Sequence, residues 1–546
     1  MNVRARLVNG IWTSLCRREH HRFQAALADP AAAQRRLLRR YLAAGAGTAW
    51  GRDHGLARMR SAADFTSAHP LTSWRDYEPY VARIMAGEKH ILTRDRVRLL
   101  EPSSGSTAAC KLVPYTARLQ GEFKRAISAW VHHMFSIWPQ LHGGPAYWAI
   151  SPAGVRAGTT ESRVPVGFAD DSAYLGGLLG RLVSAVLAVP AEVRHIDRMA
   201  AFRYATLLHL LRARDLRLIS VWHPSYLELL MAALPEQWET LLRDLAEGTL
   251  TPPVPLTGGV HRRLTRAWSA QPRRARELSR LDPAEPSALW PRLQLISCWA
   301  DGRARGPAQR LRELFPRVSL QAKGLIATEA VVTLPYAGRT PLAVRSHVFE
   351  FLTPDGRILT ADQLTMDGEY AVVVTTGGGL YRYRLGDRVR VDGFVGRTPS
   401  LLFLGKEDQV SDLCGEKLSE GFVAAVLDDI LGGAAPPFAM LAPDTSGPRP
   451  GYTLYVQGSV PDGLAGPLEA ALLRNPHYRY CRDLSQLRAA AVRRLAGDVQ
   501  ARYLRRCVEL GRRLGDVKPV SLSPRDDWGR FLVTDERPCE VLEVEP

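Results

Sequence analysis

Lysine is nearly missing from this 546-residue chain: of its 72 basic residues only seven are Lys, at positions 89, 111, 124, 323, 406, 417 and 518. The remainder are Arg, spread along the whole sequence and not gathered into one block. The formal net charge of +17 therefore reads as a solvated basic surface. A nucleic-acid interface would need a clustered footprint, so no nucleic-acid partner is expected. The few Lys that remain mark positions where a compact ammonium is wanted and a planar guanidinium is a poor substitute.

Cysteine is sparse and unpatterned. Cys16, Cys110, Cys298, Cys414, Cys481, Cys507 and Cys539 are odd in number and never form a C-x-x-C pair, which argues against a disulfide framework and a structural zinc site. Long uncharged apolar runs are lacking too. The closest approach, residues 173–193, is interrupted by Arg181 and Pro190 and reads as buried helix and turn; a membrane span needs about 20 apolar residues. Residues 1–21 mix Arg4, Arg6, Arg17 and Arg18 with scattered apolar side chains. They have no compact apolar segment and no small-residue cleavage site, so a cytoplasmic location is the default expectation. No internal repeat is present.

What the chain does have is a change of texture along its length. Residues 1–95 read as helices with short turns, including the segment from Pro30 to Ala44. The apolar approach VRLLEP then enters a Ser/Gly/Thr loop and a helical pattern from Ala117 to Ser136. Helices dominate from Ser172 to Gly248. From Arg292 the strands LQLISCW, VVTLPY, AVRSHVFEFL, YAVVVTT and YRYRLGDRVRVDGF follow, with a last one from Ser400 to Leu404. Beyond a polar connector, Gly405 to Asp408, the runs TLYVQG and AAAVRRL and a helix from Val499 to Leu514 predict a smaller α/β unit. The fold class is α/β: a large N-terminal domain with β-sheets flanked by helices (1–404), a hinge (405–408) and a small mobile C-terminal domain (409–546).

Three stretches carry chemistry. In Ser103-Ser104-Gly105-Ser106-Thr107-Ala108-Ala109-Cys110-Lys111, small hydroxyl residues around a Gly can wrap N–H groups and hydroxyls round phosphate oxygens. The spacing is not that of a G-x-x-x-x-G-K-[ST] loop, and a plain Ser-rich turn reads equally well. Thr328-Glu329 ends an apolar run, where a Glu could hold Mg²⁺ against a nucleotide phosphate or simply be solvated. The richest stretch is TTGGGLYRYRLGD, residues 375–387. Its Asp387, at a Gly turn, is placed to accept hydrogen bonds from ribose hydroxyls, or else caps a hairpin.

In this order the three stretches resemble the acyl-adenylate-forming superfamily, and most closely its Gretchen Hagen-type acyl acid amido synthetases. The family's Lys-x-x-Pro closure is matched by Lys111 and Pro114, its hydroxyl-Glu pair by Thr328 and Glu329, its T-T-x-x-G-L-Y-R-Y-R-x-G-D-x-V run by residues 375–389, and its E-K-x-x-E run by Glu416, Lys417 and Glu420. PLTSWRDYEPYVARIMAGE (70–88), VWHPSYLELL (221–230), LWPRLQLISCWADG (289–302) and NPHYRYCRDLSQL (475–487) extend the likeness over nearly the whole chain. Two departures stand out. Ala108 replaces a usual Gly, and Leu325-Ile326 stands where an aromatic residue packs on adenine, making that contact aliphatic.

The resemblance implies a soluble monomeric ligase that uses ATP and Mg²⁺. It adenylates a small carboxylic acid, releases pyrophosphate and passes the acyl group to an amine, in the family generally that of an amino acid. Rival readings keep the fold but make a thioester, or bind nucleotide or nucleic acid without catalysis. The implied roles place ATP on Ser103, Ser104, Gly105, Ser106, Thr107, Lys111, Leu325, Thr328, Asp387 and Lys406. Glu329 is catalytic and carries the metal. Lys518, in a segment resembling the small domain's mobile lysine, neutralises charge during adenylation. The acyl group borders Ile127, Trp130 and Met134, which recur on one helix face, and Ser225 and Tyr226; a core stripe gives the same pattern. No general base for the amine is identifiable from the sequence; His132, His133 and His223 are open alternatives.

Overall fold

Capped helices begin the chain. Asn2 accepts the Ala5 N–H at 3.0 Å and starts the helix Val3–Ala26. Asp29 does the same for Pro30–Gly45, whose Pro sits in the first turn, where its missing N–H costs nothing. Thr116 caps Ala117–Ile137, one residue longer than the pattern predicts. The computed structural model describes residues 2–102, 111–149, 164–166, 180, 183–196, 198–266, 268–301, 304–406, 410–414, 416–432, 436–483, 486–510 and 517–533.

Strands β1 (Val97–Pro102) and β2 (Leu112–Thr116) pair antiparallel on either side of segment 103–110. The loop residues Ser103, Ser104, Gly105, Ser106 and Thr107 lie outside the described residues. Four short strands, β3 (Ala146–Trp148), β4 (Leu218–Ser220), β5 (Leu295–Cys298) and β6 (Ser319–Ala322), form a parallel sheet in that order. Helices Met199–Arg212, Pro224–Ala232 and Leu234–Glu247 bury their apolar faces with it in one core. β5 is legible beforehand, and β6 overlaps the apolar run that ends in Thr328-Glu329. AYW and LIS are three-residue buried runs, too short for any periodicity to separate strand from helix.

A second, antiparallel sheet has the order β11-β10-β9-β7-β8, from β7 (Val348–Leu352), β8 (Ile358–Thr360), β9 (Glu369–Thr375), β10 (Tyr383–Val395) and β11 (Thr398–Lys406). The run VVTLPY forms only isolated bridges. Gly405 and Lys406 belong to β11, paired with Arg388 and Asp387, so the polar connector starts later than its composition suggests. After the short pair β12 (Val410–Ser411) and β13 (Leu418–Ser419), the C-terminal unit is built on β14 (Phe438–Asp444), β15 (Gly451–Gln457) and β16 (Ala491–Leu495). Its cores are separate from the two larger ones. The helix expected over 499–514 is Val499–Glu509.

The turn between β9 and β10 is held from below by a buried carboxylate. Both oxygens of Glu122 accept the Gly377 N–H, at 3.1 and 3.0 Å, and Oε2 lies 3.0 Å from His347 Nδ1. Since Val331 N–H donates to His347 Nε2 at 3.1 Å, the ring's proton is on Nδ1 and is given to Glu122. A Cβ at Gly377 would collide with Glu122. Farther on, Arg382 has φ of 47°, a left-handed conformation that costs about 1–2 kcal/mol. Its N–H donates to Thr375 Oγ1 at 2.9 Å, and its guanidinium pairs with Glu350 at 3.0 Å and donates to Thr66 and His69 carbonyls. The segment 70–77 docks on this turn: Thr72 Oγ1 donates to Tyr381 O at 2.7 Å, and Tyr77 Oη accepts from Tyr381 N–H at 2.7 Å.

Removing one partner of a buried ion pair strands the other charge. Arg382→Met should lower unfolding free energy by about 3–5 kcal/mol, and Arg382→Met/Glu350→Met should recover most of the loss. Urea titration of both variants checks this; equal midpoints for wild type and single variant would contradict it.

Candidate active site

The third motif bends where it carries its acid. In the β9–β10 ladder Arg384 opposes Val373 while Arg388 opposes Ala371, so extra residues of β10 are bulged out between them. Gly386, at φ of 77°, supplies the left-handed turn. The bulge presents Asp387, which is 1% exposed. Its Oδ1 is 2.8 Å from Lys406 Nζ across the β10–β11 pair, and its Oδ2 is buried with no hydrogen-bond partner among the described residues. That oxygen is an acceptor waiting for a donor.

Lys111 and Glu329 share the surroundings of this pair, and Leu325 and Thr328 belong to the segment that leads into Glu329. Lys111 Nζ donates to Tyr383 Oη at 3.4 Å. Tyr115 Oη donates to the Thr328 carbonyl, fixing the loop that follows β6. Leu325 N–H donates to Thr333 Oγ1 at 2.7 Å, and Leu325 packs against the main core as an aliphatic wall. Glu329 is buried, and burial pushes its carboxyl above the usual range, opposed by the nearby charges of Lys406 and Lys111 and reinforced by Asp387. The result is a mixed-charge nest: two carboxylates and two ammoniums, one on each of four separate segments.

Beside it lie the carboxyl ends of the parallel strands, where open α/β sheets bind ligands. β4 runs into Trp222 and His223, β5 into Trp299, β6 into Lys323. Trp222 and Trp299 are 5.5 Å apart between centroids. The Lys323 ammonium lies 4.4 Å from the Trp222 ring, and the Lys518 ammonium 3.7 Å from the Trp299 ring. Lys518 is thus brought from the C-terminal unit to the large domain's strand ends, outside any described helix or strand; Tyr503 Oη donates to its carbonyl at 3.0 Å.

His223 is the one predicted imidazole that this arrangement includes. Ser225 N–H donates to its Nδ1 at 3.3 Å, and Ser225 Oγ is 2.6 Å from the same nitrogen. The ring proton therefore sits on Nε2, which is buried and has no partner among the described residues. Burial, then the charges of Lys518 and Arg310, push its pKa down to about 3. The ring is therefore held neutral, with its N–H on Nε2. His132 and His133 lie elsewhere, in a stack with His20 and Tyr336 (centroids 4.4 Å for His20–His132, 4.2 Å for His133–Tyr336).

The acyl-side residues divide. Trp130 Nε1 donates to Gln321 Oε1 on β6 at 2.8 Å, and Ile127 keeps some exposed surface. Met134 is 1% exposed and packs inside the main core, so the stripe is part core. Ser225 serves His223, and Tyr226 Oη bonds Tyr147 Oη at 3.1 Å. Trp299 and Lys323 carry no reading from sequence alone. Their one signal is position, directly after an apolar strand.

Among the described residues no group of three or more His, Cys, Asp or Glu is arranged to hold a metal ion, and no helix is long and apolar enough to cross a membrane. Residues 19–320 match the GH3 family N-terminal domain and residues 340–406 the GH3 family central domain. The chain is 24% identical over 457 residues to the probable indole-3-acetic acid-amido synthetase GH3.12 of Oryza sativa subsp. japonica, covering 74% of each. It is 22% identical over 426 residues to the jasmonoyl–L-amino acid synthetase JAR6 of Nicotiana attenuata, covering 73% of each. Among solved structures, a GH3.15 acyl acid amido synthetase in complex with 2,4-DB superposes with a TM-score of 0.80 at 17% identity, over 95% of both chains.

Because His223 is neutral when folded but protonates below its ordinary value when unfolded, its share of stability is complete above about pH 6.5 and is lost as pH falls toward 3. His223→Gln should flatten the acid slope of unfolding free energy by about 1.4 kcal/mol per pH unit inside that window. Denaturant titrations from pH 4 upward read the slope; an unchanged one would contradict the buried neutral imidazole.

Proposed function

The chain belongs to the GH3 family of acyl acid amido synthetases, and from that premise we propose how its residues join an acid to an amine. A carboxylate oxygen of the acid attacks the α-phosphorus of ATP and pyrophosphate leaves; the amine then attacks the acyl carbon, AMP leaves, and the amine nitrogen gives up a proton. An amino acid is the proposed amine. The observation that carries this reading is the unfilled Oδ2 of Asp387, whose other oxygen meets Lys406 and which shares a nest with Glu329 and Lys111.

In this reading Asp387 Oδ2 accepts from a ribose hydroxyl, an acid–ribose contact also used in other nucleotide sites. Ser103, Ser104, Gly105, Ser106 and Thr107 wrap the phosphates, with Thr328 opposite them. Lys111 and Lys406 supply positive charge, and Leu325 an aliphatic face for adenine. Mg²⁺ fits this donor set only in its usual nucleotide-bound mode, in which the protein gives one or two carboxylates and the phosphates the rest; Glu329 is the carboxylate. Bound there, the ion would neutralise phosphate charge. The chain's own work is positioning and electrostatic stabilisation.

Lys518 is the proposed source of positive charge for the pentavalent α-phosphate. Its place beside Trp299, where burial and cations also keep His223 as an Nε2–H donor, suits a role next to the acid's carboxylate. The acyl group is proposed to lie between Trp222, Trp299, Ile127 and Trp130, with Ser225 and Tyr226 shaping the wall behind. After adenylation the C-terminal unit turns about the chain following β11, withdraws Lys518 and opens the amine's path.

Lys518→Ala should lower acid-dependent pyrophosphate release by at least about a hundredfold, the scale of losing one charge-stabilising group, while ATP affinity stays within about threefold. Full release by the variant would refute the assignment. Asp387→Ala should instead weaken ATP binding by about tenfold or more, the scale of a lost hydrogen bond to a charged group, measured by calorimetry; unchanged affinity would remove the ribose contact. A screen of acids against amino acids with mass detection of the amide identifies the pair joined.

A further inference from the structure

The first helix has an apolar face that the fold does not use. Ala5, Trp12, Cys16 and Phe23 turn inward, while Val3, Leu7, Ile11 and Leu15, spaced four apart, are 75%, 67%, 43% and 58% exposed. At a rise of about 1.5 Å per residue, the stripe runs for roughly 18 Å. Ile137, at the end of the helix packed against it, is also exposed. Contiguous exposed apolar surface on this scale marks an interaction site more often than chance.

The charge around the stripe narrows the choice of occupant. Arg4, Arg6, Arg17, Arg18 and Arg22 are all exposed on the same helix. Its only acid, Glu19, is occupied by Arg345 at 2.7 Å. A second copy of a chain with net charge +17 would bring these Arg rows against each other. An anionic bilayer surface offers the complement of both features: phosphates for the guanidiniums and an acyl boundary for the stripe.

We propose that the outward face of Val3–Ala26 docks on anionic lipid bilayers. Val3, Leu7, Ile11 and Leu15 enter the boundary between headgroups and acyl chains, and Arg17, Arg18 and Arg22 lie on lipid phosphates. This docking is peripheral and leaves the strand-end cleft and its residues untouched.

Full-length protein is sedimented with vesicles of phosphatidylcholine alone or of equimolar phosphatidylcholine and phosphatidylglycerol. Binding is expected to the mixed vesicles and to weaken with salt. Leu7→Ser/Ile11→Ser should reduce it by roughly tenfold or more, and Arg17→Gln/Arg18→Gln should reduce both the binding and its salt dependence. All variants should keep the wild-type circular dichroism and pyrophosphate release. No pelleting with mixed vesicles, or equal pelleting of wild type and both variants, overturns the proposal. So does a lipid-free dimer that Leu7→Ser/Ile11→Ser abolishes, since the stripe would then be a subunit interface.

Discussion

A carboxylate taken out of water must be given a cation or a set of N–H donors, and the large domain is organised by where it meets that demand. Glu122 is satisfied by Gly377 N–H and the neutral His347 ring, Glu350 by Arg382, Asp387 by Lys406 on one oxygen only. The first two fix the turn that leads into β10; the third is presented by the bulge at its end. Arg382 is central because its guanidinium reaches both Glu350 and the carbonyls of the 66–69 segment. One side chain ties the N-terminal helices to the antiparallel sheet while its own backbone holds a left-handed conformation. Stability spent there secures the direction in which Asp387 leaves the sheet.

The difference between Asp387 and the other buried acids is what separates a site from a scaffold. Glu122 and Glu350 have their acceptor capacity filled from within the fold. Asp387 keeps one oxygen buried and unbonded, a cost of about 1–3 kcal/mol in the free protein. The same holds for the Nε2–H of His223. One acceptor beside two ammoniums and one donor beside Trp299 are unfilled valences, which the proposed ribose and carboxylate contacts would take up.

Legibility in the sequence followed the length and the chemistry of each segment. β9, β10 and β11 were readable because alternating or continuous β-branched residues run for seven residues or more between glycine turns. The motif around Asp387 and its companions Lys111, Thr328 and Glu329 were likewise readable, and the fold brings them together. β3 and β4 were not, since three residues carry no period. The connector was placed too early because Gly405 and Lys406 look like turn residues, while their pairing with Arg388 and Asp387 is a tertiary fact. Met134 shows the same limit from the other side: spacing marks a helix face as apolar and is silent on whether that face is core. Tautomers lie further still from sequence. Only the Ser225 N–H contact reveals that the His223 ring carries its N–H on Nε2.

The contact that brings Lys518 to the cleft is of a different kind from those that build it. An ammonium over an indole face is worth about 0.5–2 kcal/mol, whereas severing the Arg382–Glu350 pair costs about 3–5 kcal/mol. If the C-terminal unit delivers a charge for one half-reaction and withdraws it for the next, as proposed, the weaker contact serves it better. The Lys518 ammonium lies 3.7 Å from the Trp299 centroid and 5.7 Å from the Phe403 centroid, ring contacts that tolerate a range of approach directions. Arg would tilt the balance, because its planar cation stacks on the ring over a larger area. In a chain with only seven Lys among 72 basic residues, a Lys at this position suits the proposed cation that has to let go.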